Sequence, residues 1–224
     1  MQYVLDFTST LEAWPELLLG LWRTLVLTMW GGAIGLSGGL CLAVFRSSTN
    51  SALRIPSKAF IEVVRNTPLL VQVFFIFFGL PSLGLRMGPD TGAVLALGLN
   101  AAAYFAEIMR AGIQSVPKGQ REAAYALGLN PTQAFLLVVL KPALSAVYPA
   151  LTSQVIMLFL GTSIVSSISA VELTSTAQEV QAATFRTFEA YFVITFIYLG
   201  LSIALSFVLR RVGYRVFSFS TVRR

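Results

Sequence analysis

Ionisable and polar side chains set in apolar sequence are the first places to look for chemistry, because a low-dielectric surrounding makes them costly. The chain has no histidine and one cysteine, Cys41, which sits in an apolar run and suits a small packing residue. These counts remove most transition-metal sites, CxxC redox chemistry and any catalytic device built on imidazole. A hydrolase would then need a Ser–Lys or paired-Asp device. Yet Lys58, Lys118 and Lys141 lie beside apolar runs rather than within them, as do Asp6 and Asp90. No GxxxxGK[ST] loop is present to cradle a nucleotide phosphate. What remains is neutral: Asn100, Gln154, Thr162 and Ser163, with Ser166 and Ser167, in otherwise apolar stretches. Gln154 and Thr162 are two helical turns apart and share a face. Such residues suit a polar path for a solute, or interhelical hydrogen bonds. Glu107 and Arg110, three apart, suit an ion pair on one helix face.

These residues need elements to hold them, and composition names the kind. Of 224 residues, 56% are hydrophobic and 12% charged, with mean hydropathy +0.76. Soluble domains carry about 25% charged residues, so an integral membrane protein is implied. Charge-free runs cover 24–45, 66–85, 91–106, 142–171 and 190–209. A crossing needs about 20 apolar residues; four runs suffice, and the third continues to Ala111 past Glu107 and Arg110. The runs do not alternate as barrel strands would. Five transmembrane helices are predicted, over roughly 18–45, 58–80, 91–112, 135–165 and 188–211, in a single all-α domain spanning 1–224.

The first run is no cleaved signal peptide, since the segment before Arg23 holds Asp6, Glu12 and Glu16 and no Lys or Arg. With the N-terminus outside, segments 46–65, 110–141 and 210–224 fall inside. They carry 13 of the 16 basic residues, including Arg223 and Arg224. This follows the positive-inside rule and accounts for the net charge of +6 without nucleic acid.

Helix 1 carries Gly31, Gly35 and Gly39, two overlapping GxxxG steps that favour close helix approach. Pro68 near the inner start of the second span removes a backbone donor and favours a kink. Pro81, Gly84, Gly88 and Pro89 mark a loop. On the inside, Pro117 suits a helix start and Gly128 a helix stop, with Asn130-Pro131 opening the next helix. A short helix at the membrane face follows. On the outside, Ser166 to Thr187 suits an amphipathic or re-entrant helix.

The stretch Gly119-Gln120-Arg121-Glu122-Ala123-Ala124-Tyr125-Ala126-Leu127-Gly128-Leu129 resembles the EAA loop of membrane subunits of bacterial ATP-binding cassette (ABC) importers. Glu122-Ala123-Ala124 and Gly128 match its core, and Val138 and Leu140 stand at later positions. Lys141 replaces a family proline, and Pro142 comes one place late. Arg65-Asn66-Thr67-Pro68-Leu69-Leu70-Val71-Gln72 and the run from Ala106 to Gln120 resemble the polar amino-acid branch of these permeases, as does Thr162-Ser163.

The resemblance implies a MetI-like permease fold with a coupling loop over 114–142. Gly119, Glu122, Ala123, Ala124 and Gly128 would contact a cytoplasmic ATPase dimer that binds the ATP, so that this chain needs no cofactor. It further implies a periplasmic amino-acid-binding protein as partner and the bacterial inner (plasma) membrane as location. Asn100, Gln154, Thr162 and Ser163 would line the substrate pathway for a polar L-amino acid such as glutamate or aspartate. Leu160-Gly161 stands where this branch often has a charged pair, so a second, non-identical permease is expected to complete the pocket. An ion-coupled secondary carrier is the alternative, disfavoured by the scarcity of mid-span ionisable groups. A non-transporting membrane scaffold would leave the loop sequence without a reason.

Overall fold

The structure is a computed structural model and describes residues 4–217, so Arg223 and Arg224 lie outside the described residues. Its regular elements are helices: α1 (Thr8–Glu12), α2 (Trp14–Arg46), α3 (Ser51–Arg65), α4 (Leu69–Ser82), α5 (Pro89–Ser115), α6 (Lys118–Ala126), α7 (Pro131–Ile168), α8 (Leu173–Thr184) and α9 (Thr187–Val216). α4 contains a π turn at Phe75–Gly79. α7 opens through another at Ala134–Val139 and closes as a 3-10 turn over Thr162–Ile168. Four helices, α2, α5, α7 and α9, are each long and apolar enough to cross a bilayer.

The second span differs from a single helix over 58–80. α3 and α4 meet at 115° around Asn66-Thr67-Pro68. Pro68 is extended (φ −63°, ψ 139°) and disfavours helical geometry in the residue before it. The break leaves Val63 O and Val64 O without helical donors, and side chains satisfy both, while Glu62 O keeps the Asn66 N–H and gains a second donor. Asn66 Nδ2 donates to Glu62 O (2.7 Å), Thr67 Oγ1 to Val63 O (2.8 Å) and Gln72 Nε2 to Val64 O (2.7 Å). Unpaired carbonyls cost several kcal/mol in hydrocarbon, roughly, so this side-chain set is what permits a break at membrane depth.

The direction of each helix follows from its contacts. Arg23 and Asp90, near the starts of α2 and α5, lie 4.0 Å apart. Arg46, at the end of α2, reaches Glu107 late in α5 at 2.5 Å. The two helices therefore run parallel, and the chain between them must recross. The bent pair of α3 and α4 is that return, with α4 as its rising arm, and counted as one span it brings the candidate crossings to five. α7 returns beside α5, and α9 descends along α7, where Tyr148 Oη donates to Leu209 O at 2.7 Å. The start of α2 and the end of α9 thus lie at opposite ends of the bundle.

Close packing concentrates where α2 meets α5. A Cβ added at Gly35 would stand 2.6 Å from Ala101 Cβ, and one at Gly39 would stand 2.7 Å from Phe105 Cβ. In lipid no hydrophobic drive pulls helices together, so van der Waals contact through small residues supplies the association. α5 answers with Ala93, Ala96, Ala101, Ala102, Ala103 and Ala106, all buried. α9 instead exposes Phe192, Phe196, Ile203 and Phe207, as a helix facing acyl chains does. Cys41 is exposed on α2 rather than packed, because it lies off the glycine stripe. Between α7 and α9, Ser169 turns the chain in the left-handed region (φ 60°), and α8 follows.

Candidate functional site

Between α5 and α7 the chain makes a short helix, closed at its C-terminal end. α5 ends at the extended Val116 (ψ 123°), and α6 begins after Pro117, which is extended as well (ψ 138°). At its C-terminus the Gly128 N–H donates to Tyr125 O (2.9 Å) and the Leu129 N–H to Ala124 O (3.2 Å). These two bonds form a Schellman motif, which needs a left-handed residue; Gly128 supplies it at φ 79°. Two residues on, Asn130 Oδ1 accepts from the Gln133 N–H (2.9 Å), and Gln133 Oε1 accepts from the Asn130 N–H (3.0 Å). This capping box starts α7, with Pro131 in its first turn. α6 packs on the π turn of α7.

The packing divides the loop residues. Ala124 is buried, whereas Gly119, Glu122 and Ala123 are exposed. Glu122 lies past the first turn, so it does not cap α6, and it forms no ion pair among the described residues. Tyr125 is 47% and Leu127 82% exposed, an apolar pair at the tip that spacing alone does not single out. The arrangement is a rigid, protruding helix with a small-residue face, one free carboxylate and an apolar tip. α6 packs on α7 and is joined to α5 through Val116 and Pro117, so it connects directly to both helices.

Above this end lies an ion cluster. Glu107 accepts from Arg110 on its own helix and from Arg46 at 2.5 Å, and Arg65 stands 3.8 Å away. The Glu107–Arg110 pair expected from the spacing is thus one part of a junction that joins α2, α3 and α5. Arg65 also lies over the Tyr104 ring, 5.7 Å from its centroid. Arg110 Nη1 donates onward to Gln114 Oε1 at 2.5 Å.

The four pathway residues do not converge on one cavity. Asn100 Nδ2 donates to Gln72 Oε1 at 2.9 Å, which ties α5 to the helix break. Thr162 is buried and donates to Phe159 O (2.7 Å), and Ser163 donates to Leu160 O (2.8 Å). Gln154 is half-buried on α7. Gln72, which carries the Asn100 contact, stands at the end of the Arg65–Gln72 run, where its type and place were the available signal. In place of a charged pair, Gly161 lets Leu69 approach, since a Cβ there would lie 3.3 Å from Leu69 Cδ2.

Glu172, which no motif or spacing singles out, is buried at the opposite end of the bundle. It caps α8 by accepting from the N–H groups of Thr174 and Ser175, both at 2.8 Å, and takes a third bond from Tyr198 Oη at 2.8 Å. Burial pushes its carboxyl above the ordinary value of 4.5, against the pull of these donors.

A recrossing bundle with a broken second span and a capped helix protruding from one end defines a class: a multi-pass helical membrane subunit of the transport type. The chain belongs to the family described as binding-protein-dependent transport system inner membrane component, whose model matches residues 17–218. It is 38% identical over 217 residues to the glutamine transport system permease protein GlnP of Escherichia coli K12, covering 94% of this chain and 97% of that one. It is 35% identical to the nopaline transport system permease protein NocM of Agrobacterium fabrum, covering 90% of this chain and 88% of that one. Identity is also 35% to the arginine transport system permease protein ArtQ of Bacillus subtilis, covering 91% and 94%. A solved chain of an amino acid ABC transporter, crystallised with histidines, superposes with a TM-score of 0.89 at 37% identity, covering 95% of this chain and all of that one. A chain of the inward-facing MetNI methionine ABC transporter gives 0.71 at 25% identity, covering 89% and 96%. The all-helical MetI-like permease fold and a multi-pass inner-membrane location follow from this membership.

Proposed function

We propose that this chain is the permease subunit of an ATP-driven importer of polar L-amino acids, with glutamate, aspartate and their amides as the candidate class. The observation that carries the reading is α6, a protruding helix closed at its C-terminus by the left-handed Gly128, in a chain similar to permeases named for glutamine, nopaline and arginine. In this reading α6 lies in the cytoplasm, with the N-terminus periplasmic and the C-terminus cytoplasmic. The basic residues at the α6 end of the bundle support that orientation.

Gly119, Glu122, Ala123 and the tip at Leu127 dock in a groove of an ATPase subunit, while Ala124 and Gly128 hold the helix in shape. The ATPase dimer binds and hydrolyses ATP, and its closure tilts α6 and with it α5 and α7. A periplasmic binding protein delivers the amino acid at the α8 end. Gln154, Thr162 and Ser163 on α7, with Asn100 and Gln72, supply the polar surface past which it moves. With Leu160-Gly161 in place of charge, recognition inside the membrane comes mainly from a second, different permease.

Affinity purification from membranes tests the reading. The tagged chain is expected to bring down an ATPase carrying a Walker A loop and a second permease, and Glu122→Lys is expected to lose the ATPase. A functional importer assembled from this chain and the ATPase alone, with amino acid held by both copies of α7, would refute the heterodimer. Retention of full uptake by Glu122→Lys would refute the coupling role.

A further inference from the structure

We infer that α3 is an interfacial helix that lies in the leaflet on the α6 side and binds anionic phospholipid headgroups through Arg54 and Lys58. Three faces of this one helix carry the argument. Ser57, Ile61 and Val64, spaced four and three apart, are buried against the part of the bundle where Ala43 of α2 and Ala103 and Ala106 of α5 cluster. Arg54, Lys58, Glu62 and Arg65 fall on a second, narrow face. Ala52, Pro56, Ala59 and Val63 form a third that is apolar, with Val63 still 63% exposed. A helix crossing a bilayer needs an apolar surround over its length. A helix floating in water does not leave a whole apolar face uncovered. One side on protein, one cationic side and one apolar side is the pattern of a helix lying in the interface plane.

Position agrees with pattern. The 115° bend turns α3 steeply away from α4, which packs against α5. α3 starts five residues after Arg46, the polar stop of α2, and ends at Arg65; both of these arginines reach Glu107. The charge-free stretch 24–45 ends there. At 1.5 Å per residue that stretch measures about 33 Å, close to the hydrocarbon thickness of about 30 Å. α3 is therefore at headgroup depth on that side, which is the cytoplasmic leaflet in the orientation proposed above.

The occupant is set by charge. Arg65 is committed to Glu107 and Tyr104, and Lys58 shares its charge with Glu62 at 3.7 Å. Arg54 forms no ion pair among the described residues. Arg54, with the exposed and only partly neutralised Lys58 beside it, faces the headgroup layer, where phosphate and acidic headgroups are the available anions. One net basic residue near an anionic leaflet is worth about fivefold in local lipid preference.

The test uses the assembled importer in vesicles, with Val63→Cys carrying an environment-sensitive fluorophore in a Cys41→Ser background. Brominated phosphatidylglycerol is expected to quench the label about fivefold more per mole fraction than brominated phosphatidylcholine, with aqueous iodide silent. Arg54→Ala with Lys58→Ala is expected to equalise the two lipids while both still quench. Equal quenching by the two lipids in the parent would overturn the headgroup site. Quenching by iodide alone would place the face in water, and no quenching by any agent would mean another subunit covers it; either result overturns the inference. None of these readouts depends on which solute is carried.

Discussion

Replacing Glu107 by Gln tests whether the junction of α2, α3 and α5 is electrostatic in origin. The substitution keeps shape and removes one charge, leaving Arg46, Arg65 and Arg110 facing one another without their common counter-ion. Side-chain exposure is 17% for Glu107 and 20% for Arg46, so the pair is neither fully buried nor at the surface. Breaking one partner of a buried pair costs about 3–5 kcal/mol and losing a surface pair about 0–1. An intermediate loss of about 2 kcal/mol is expected, about 30-fold in the folded-to-unfolded ratio. Equilibrium unfolding in mixed micelles would measure it. A double-mutant cycle with Arg46→Gln is expected to show a coupling of about 1 kcal/mol or more, as contacting charges do. Arg65→Gln should cost less than Arg46→Gln, since its pair is longer at 3.8 Å and it keeps less burial. A Glu107→Gln variant within about 0.5 kcal/mol of the parent, or a strictly additive cycle, would refute the reasoning and leave apolar packing alone to hold the three helices.

Gly35→Val is expected to destabilise by at least about 1–3 kcal/mol through overpacking against Ala101, read by the same unfolding assay; Gly200→Ala, with nothing within 4 Å of its Cβ, should change little. Gly128→Ala forces a left-handed residue to carry a Cβ, about 1–2 kcal/mol, so the protein should insert normally while vesicle uptake falls. Glu172 binds its proton more tightly folded than unfolded, because burial raises its carboxyl above 4.5. Its contribution to stability is therefore full below pH 4.5 and is lost as pH rises through the raised value. Glu172→Gln should flatten that segment of the pH–stability curve.

Much of this protein was legible in one dimension because lipid imposes simple rules. A hydrocarbon layer excludes charge and demands paired backbone, so the runs between Arg23 and Arg46 or between Glu189 and Arg210 mark crossings without reference to partners. Capping chemistry is local too: Gly128 and the Asn130–Gln133 box act within a few residues, which is why both ends of the α6 turn could be read from spacing. The GxxxG steps identified a face, and packing supplied the partner, α5. Tertiary structure alone decided the rest. The break at Pro68 was signalled, but the 115° that turns α3 aside is accommodated by Thr67 and Gln72, whose side chains donate to the freed Val63 and Val64 carbonyls. Glu107 gained Arg46 and Arg65 from helices 61 and 42 residues away in sequence, and Glu172 gained Tyr198 from another span. Those pairings are long-range contacts, and no periodicity records which faces of separate helices will meet.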